Sequence, residues 1–416
     1  MAIKSPPIKD IIQVEPVNPC ATNEILVNDY CVYDGFVLFT PFDNNALSHK
    51  TYLMDKSGQV INEWDVPAPP ASAPYLTRNG ELVYPCKQDE MIVPYAAGAG
   101  GRIVMYDWSG NQLWDWETSL DIPGLRGGPY QLHHDIEPLP NGNILAIVIE
   151  EFSSTEHDIT SADAVIEIKP NGMNGAQIVW EWRVIEHLSE MGDLYNPHKF
   201  NRIQGFGQGG NNTGDWNHFN AVYLTQLDKV ALSSRKWDEI YLINWRGGVD
   251  ESGDILYRWG SPQKYGIGEP DQLNDNHGVN QIPYGYPGEG NLIIYSNNYP
   301  VSGTKSSIVE IEPLMDNDGN YLLEDNQFPP LGPPEEQVWY YDDDNFYASK
   351  QSGVFRLENG NTFIIQASQP GRLFEVNPNK EIVWDFYEPN EDGILRAHQY
   401  SRKFVDDIIN IENQRN

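Results

Sequence analysis

The sequence predicts an all-β protein, a six-bladed β-propeller closed by its own C-terminal strand. Two observations carry that prediction. A strand, a turn built on Gly, Asn or Asp, and an aromatic-rich strand recur six times, and no convincing helical stretch exceeds about ten residues. Composition agrees: 416 residues with 40% hydrophobic, 12% aromatic, 36 Gly and 30 Pro describe a globular, turn-rich chain. Repeat folds of this length form one unit.

In chain order, the outer cadence runs Gly58 to Trp64, Gly110 to Trp116, Gly175 to Trp182, Gly253 to Trp259, Glu336 to Tyr340 and Asn379 to Phe386. Each copy follows a period-2 apolar segment, such as Tyr52 to Asp55 or Leu373 to Val376. Upstream of those pairs lies a further strand, often opened by a PNGN-like turn: Asn79 to Val83, Asn141 to Ile149, Asp228 to Ser233, Gly290 to Tyr295 and Asn359 to Ile365. The first unit lacks its innermost strand, because Phe36 to Pro41 already reads as a second strand. Arg396 to Phe404 has strand character and no blade of its own, so it is expected to close the ring and remove the open edges. The organisation that follows is an N-terminal arm (1–31), the propeller (32–404) and a C-terminal tail (405–416).

Insertions at Ser153 to Asp163, Glu186 to Gly214 and Pro313 to Glu336 read as loops. In the last of them Asp316, Asp318 and Asn320 resemble the opening of a calcium loop, without the Glu expected at its twelfth position, so a structural Ca2+ stays an open alternative. A Cys20 to Cys31 bridge would pin the arm in an oxidising compartment; three unpaired thiols, with Cys86 alone, is the other reading.

Sixty acidic and 27 basic residues give a formal charge of −33, which repels phosphate and excludes nucleic acid as a partner. No apolar run approaches the roughly 18 residues that would span a membrane, and Met1 to Lys9 lacks the apolar core of a signal peptide. An anionic substrate would need a local cationic pocket.

The histidines supply one. His133 and His134 begin one innermost strand, His218 the next and His277 the next, while His398 sits in the closing strand. Innermost strands line the axial channel, so these imidazoles are expected to converge at one mouth. Arg235 follows His218 by 17 residues, at the end of the second strand of the same blade. A guanidinium among imidazoles suits a tetrahedral oxyanion, whereas a surface pair with Asp238 is the plainer alternative.

HHDIEPLPNGNIL, DWNHFNAV followed by SSRKWDEIYLI, and NHGVNQI together resemble the bacterial arylsulfotransferase family over residues 32 to 404. The resemblance implies a six-bladed propeller that moves a sulfuryl group between phenols without a nucleotide donor, needs no cofactor and works in the periplasm or outside the cell. Residue by residue, it puts the sulfated nucleophile on His277, a supporting pair on His218 and Asn220, the arginine on Arg235 and further site histidines on His133 and His134. His398, Asp135 and Asn280 are expected to contact substrate. Two departures stand out. The roughly 30 residues before the first blade leave no room for the β-sandwich that precedes the propeller in some members, and His398 stands where the family more often has Tyr.

The expected chemistry is ping-pong transfer, with His277 as nucleophile, His218 as acid and base, and Arg235, His133 or His134, and Asn220 stabilising the sulfuryl oxygens. A small anionic or phenolic molecule is the expected partner. Two rivals use the same residues: a His-bound transition metal serving a lyase or oxidoreductase, and a non-catalytic anion-binding propeller.

Overall fold

The computed structural model describes residues 32–415 apart from 44–47, 94–97, 99, 120–129, 152–160, 188–216, 246–252, 263–270, 301–302, 318, 323–331 and 333–336. Six four-stranded antiparallel sheets form the six blades. Blade 1 contains β1 (Gly35–Phe42), β2 (His49–Asp55) and β3 (Val60–Val66). Blade 2 is β4 (Tyr75–Leu76), β5 (Leu82–Lys87), β6 (Gly101–Tyr106) and β7 (Gln112–Glu117). Blade 3 is β8 (Tyr130–Pro138), β9 (Ile144–Glu151), β10 (Ser161–Asn171) and β11 (Gly175–Arg183). Blade 4 is β12 (Phe219–Leu224), β13 (Lys229–Ser234), β14 (Glu239–Asn244) and β15 (Ile255–Trp259). Blade 5 is β16 (Asn276–Gln281), β17 (Leu292–Ser296), β18 (Ser307–Ile311) and β19 (Gln337–Tyr341). Blade 6 is β20 (Gly353–Arg356), β21 (Thr362–Gln366), β22 (Arg372–Val376) and β23 (Ile382–Tyr387).

The ring closes as the sequence predicts. The C-terminal strand β24 (Gly393–Ser401) pairs antiparallel with β1, with Leu38 opposite His398 and Phe36 opposite Tyr400, and becomes the innermost strand of blade 1.

The tryptophan cadence has a structural cause. Trp64 donates its indole N–H to the Asp107 carbonyl of blade 2, Trp114 to Gly175 of blade 3, Trp182 to Gly253 of blade 4, and Trp384 to Lys56 of blade 1. In each case an outer-strand ring reaches the outermost hairpin turn of the next blade. One residue thereby buries a large apolar face and satisfies its single donor, which would cost about 1–3 kcal/mol if left buried and unpaired. The apolar cores lie between neighbouring blades: Val165 and Trp182 of blade 3 pack with Val222, Leu232 and Tyr241 of blade 4. Full burial of one such aliphatic side chain contributes about 1.5–3 kcal/mol.

One expectation fails. A 14-residue helix, α1 (Arg402–Arg415), follows β24 directly, where the sequence was read as strand and tail. Its Val405 and Ile408 are buried and Phe404 and Ile409 pack beside them, on the core that holds Phe36, Leu38 and Leu82. That spacing is helical, one apolar stripe laid on the core. Asp316 accepts from the backbone and side-chain amide of Asn320 in a tight turn; Asp318 of the candidate calcium loop is outside the described residues. Cys86 is a buried free thiol whose pKa burial pushes up to about 12, while Cys20 and Cys31 are outside the described residues.

Candidate active site

Three innermost strands enter the channel through irregular backbone. Pairing slips between Leu132 and Ile136 in β8, between Phe219 and Ala221 in β12, and between His277 and Val279 in β16. His134 (φ 53°), His218 (φ 50°) and Asp275 (φ 52°) adopt the left-handed region that side chains other than glycine disfavour. Such bulges re-aim side chains next to functional sites, and the conformation costs of order 1–3 kcal/mol at each residue. Here they turn three imidazoles toward one another. One ring nitrogen each from His134, His218 and His277 lies within 4.8 Å of the other two, and all three residues are buried.

The tautomer of His277 follows from its neighbours. Its Nδ1 is 2.7 Å from Asn297 Oδ1 and 3.1 Å from the Asp275 carbonyl. The Asn297 amide nitrogen is already donating to the carbonyls of Ala348 and Gln351, so the oxygen must face His277. Two acceptors at Nδ1 hold the proton there. Nε2 therefore carries a lone pair.

Behind His134 runs a second chain. The Nδ1 atoms of His133 and His134 are 2.7 Å apart, and His133 Nε2 is 3.2 Å from Asp163 Oδ1. The Nδ1–Nδ1 contact requires one ring to donate and the other to accept, so the two imidazoles hold complementary tautomers beside the Asp163 carboxylate. Asp163 is itself fixed, accepting from the Phe219 amide at 2.5 Å, in the residue after His218. Gly98 lies against the other side of His134, where a Cβ would run into the ring.

Burial and neighbouring cations keep the rings of His277 and His134 neutral. Burial pushes the pKa of His277 well below its ordinary value, and His218, Arg235 and Arg396 push it further. Burial does the same to His134, followed by His218, His133, His277 and Arg396. Arg235 is the partly exposed cation of the group. It pairs with Asp275 (Nε to Oδ1, 3.0 Å), the residue whose carbonyl meets His277 Nδ1, and its own backbone N–H donates to the His218 carbonyl. Asp238, the partner expected as the plainer alternative, instead accepts from the Asp275 backbone amide.

A family model described as Arylsulfotransferase (ASST) matches residues 22–395. The chain belongs to the arylsulfotransferase family. No curated protein matches it significantly. Among solved structures it is similar to a protein of unknown function from Bacteroides caccae, at 12% identity over 88% of this chain and 99% of that one, with a TM-score of 0.49. It is also similar to virginiamycin B lyase from Staphylococcus aureus, at 10% identity over 86% and 87% of the two chains, with a TM-score of 0.37. Neither carries an argument about chemistry.

Of the residues that the arylsulfotransferase resemblance singles out, the structure brings His134, His218 and His277 into direct contact range, with His133 one step behind and Arg235 at the rim. Asn220 acts on the backbone: its amide donates to the Asn276 carbonyl, the residue before His277, and Asn276 in turn donates to Ser233 Oγ. Asp135 is committed to protein, since Arg396 (2.8 Å), Ser72 and the Val222 amide all donate to it. Asn280 donates to the Val354 carbonyl and lines a different cavity.

His398 requires a correction. It does not join the other histidines; it packs between Tyr75 (ring centroids 4.1 Å) and Phe355 (4.9 Å). The reason is its level along β24. Arg396, two residues earlier, occupies the channel between Asp135, the Asn220 carbonyl and the Ser352 carbonyl, so His398 faces the channel beyond that plug.

Asn297, Asp163, Asp275 and Arg396 escaped the sequence reading. Arg396 carried the one available signal, a cation beside His398 in the strand already chosen to close the ring.

Proposed function

We propose that the protein transfers a sulfuryl group from an aryl sulfate to a phenolic acceptor through a sulfated His277. The observation that supports this is the neutral imidazole of His277, held with its proton on Nδ1 by Asn297 Oδ1 and the Asp275 carbonyl. The Nε2 lone pair attacks sulfur, the S–O bond to the aryl group breaks, and the phenolate leaves with that electron pair and takes a proton from His218. As N–S bonding makes the ring cationic, the two oxygens at Nδ1 strengthen their hold, the kind of preorganised stabilisation worth several kcal/mol. In the second half, a phenol oxygen attacks the same sulfur, His218 takes its proton, and the S–N bond breaks to restore His277. Arg235 meets the sulfuryl oxygens at the rim, exchanging part of its pairing with Asp275 for the substrate. The same reading places the protein outside the cytoplasm.

The test is turnover of a chromogenic aryl sulfate with an added phenol. Release of chromophore that depends on the acceptor, lost in His277→Gln, supports the proposal; a folded protein with no turnover over a panel of aryl sulfates contradicts it.

One observation favours a second reading. Three nitrogen ligands within 4.8 Å, with His133 and Asp163 orienting His134 from behind, also suit a transition metal that would supply Lewis-acid or redox chemistry. Arg235 and Arg396 act on His277 with the field that opposes a cation, which ranks this reading second. Stoichiometric metal that survives dialysis of the wild type and disappears in His218→Ala would reverse the ranking.

A further inference from the structure

The axial channel has a second compartment, on the far side of the Arg396 and Asp135 pair from the histidine trio. A cavity of about 190 Å³ opens there, and a smaller one of about 30 Å³ extends it down to Asp135 and Arg396. Among the described residues, its walls include the rings of Tyr75, Tyr223, Tyr286, Phe355, Tyr400 and His398, contributed by five different blades. Neither His134, His218 nor His277 lines it.

Three features define what fits. The size exceeds the roughly 150 Å³ of an apolar cavity that accepts one benzene ring, so one ring or a fused pair can enter. The walls present ring faces and edges on several sides, which suits a planar π system in offset or edge-to-face contact. Charge in the lining is balanced: Arg356 is ion-paired with Glu310, and Arg78 and Glu137 bring opposite signs. Burial raises the pKa of Tyr75, Tyr286 and Tyr400, so their hydroxyls stay uncharged.

We infer that this cavity is a binding site for a neutral, planar aryl compound of one or two fused rings, clasped by Tyr75, Tyr286 and Phe355 with the His398 imidazole as its polar contact. The site is separate from the histidine trio and does not depend on the transfer reaction proposed above. It also accounts for a histidine at position 398 that takes no part in the trio.

Calorimetric titration of the full-length protein with indole tests it. Wild type is expected to bind one indole saturably. Phe355→Leu, which keeps apolar volume and removes the ring, and Tyr286→Leu at the rim are each expected to weaken binding by about tenfold. His277→Gln is expected to leave binding unchanged, whether or not that variant has lost sulfuryl transfer, so failure of the transfer reading and failure of this one are distinguishable. Matching melting temperatures establish that the variants are folded. Absence of saturable binding by wild type overturns the inference, as does binding that survives both leucine variants or is lost in His277→Gln.

Discussion

The two ends of the axial channel are built from the same six strands and hold opposite kinds of chemistry. At the strand starts, bulged backbone turns His134, His218 and His277 together, with Arg235 at the rim, Asn297 fixing the His277 proton and Asp163 beside His133. Toward the strand ends the backbone is regular and the lining is aromatic, with Tyr75, Phe355 and His398 in contact. Arg396 and Asp135 divide them. A channel lined by period-2 strands is therefore not one site, because residues two apart on one strand share a face yet differ by about 6.6 Å in level. That difference separates Arg396 from His398 and assigns them to different compartments.

The largest effect comes from breaking the divide. Arg396→Met leaves Asp135 buried without its cation, and such half-removed pairs cost about 3–5 kcal/mol. Urea denaturation is expected to show a loss of that order; a change below about 1 kcal/mol would mean that the pair does not hold the two compartments apart.

Much of this architecture was legible. Trp64 and Trp182 of the recurring pattern, with the turn glycines Gly175 and Gly253, mark clasps between blades, and the missing inner strand of the first unit points to closure by the C-terminus. The sequence reading carries the closing strand to Phe404 and leaves 405–416 as a tail; the helix shows only when Phe404, Val405, Ile408 and Ile409 are set at their spacing of four. Arg396 and Asp135 are 261 residues apart, and Asn297 meets His277 across a hairpin; no local pattern announces either contact. HHD likewise gives no sign that His134 needs a positive φ, which only the bulge in β8 imposes.

A smaller effect tests the histidine end alone. Asn297→Ala removes the acceptor that pins the His277 tautomer and is expected to lower kcat about 10- to 100-fold with KM nearly unchanged, since a positioning residue acts on the reacting ring more than on substrate binding. An equal loss in KM with kcat retained would reassign Asn297 to substrate contact.

Smaller again is the pH dependence of stability. His134 and His277 have pKa values depressed in the fold, so below about pH 6.5 the unfolded chain binds protons that the folded chain refuses. The stability these residues leave intact above pH 6.5 is lost as pH falls. Urea midpoints are expected to drop from pH 7 to pH 5, and the double variant His134→Gln, His277→Gln is expected to drop less; parallel curves would contradict neutral histidines in the fold.

His398→Ala should do least at the histidine end. Sulfuryl transfer is expected to stay within about twofold of wild type, because the plug lies between His398 and the trio. A large loss of transfer would rejoin the two compartments.

The central claim is that His277 Nε2 is the attacking atom. Mass spectrometry of the protein quenched during turnover of an aryl sulfate, followed by peptide mapping under conditions that preserve N–S bonds, tests it directly. The account predicts one added sulfuryl group on His277, absent in His277→Gln and discharged by phenol. An adduct on His134 or His218, or turnover with no protein adduct in wild type and His277→Gln alike, would contradict it.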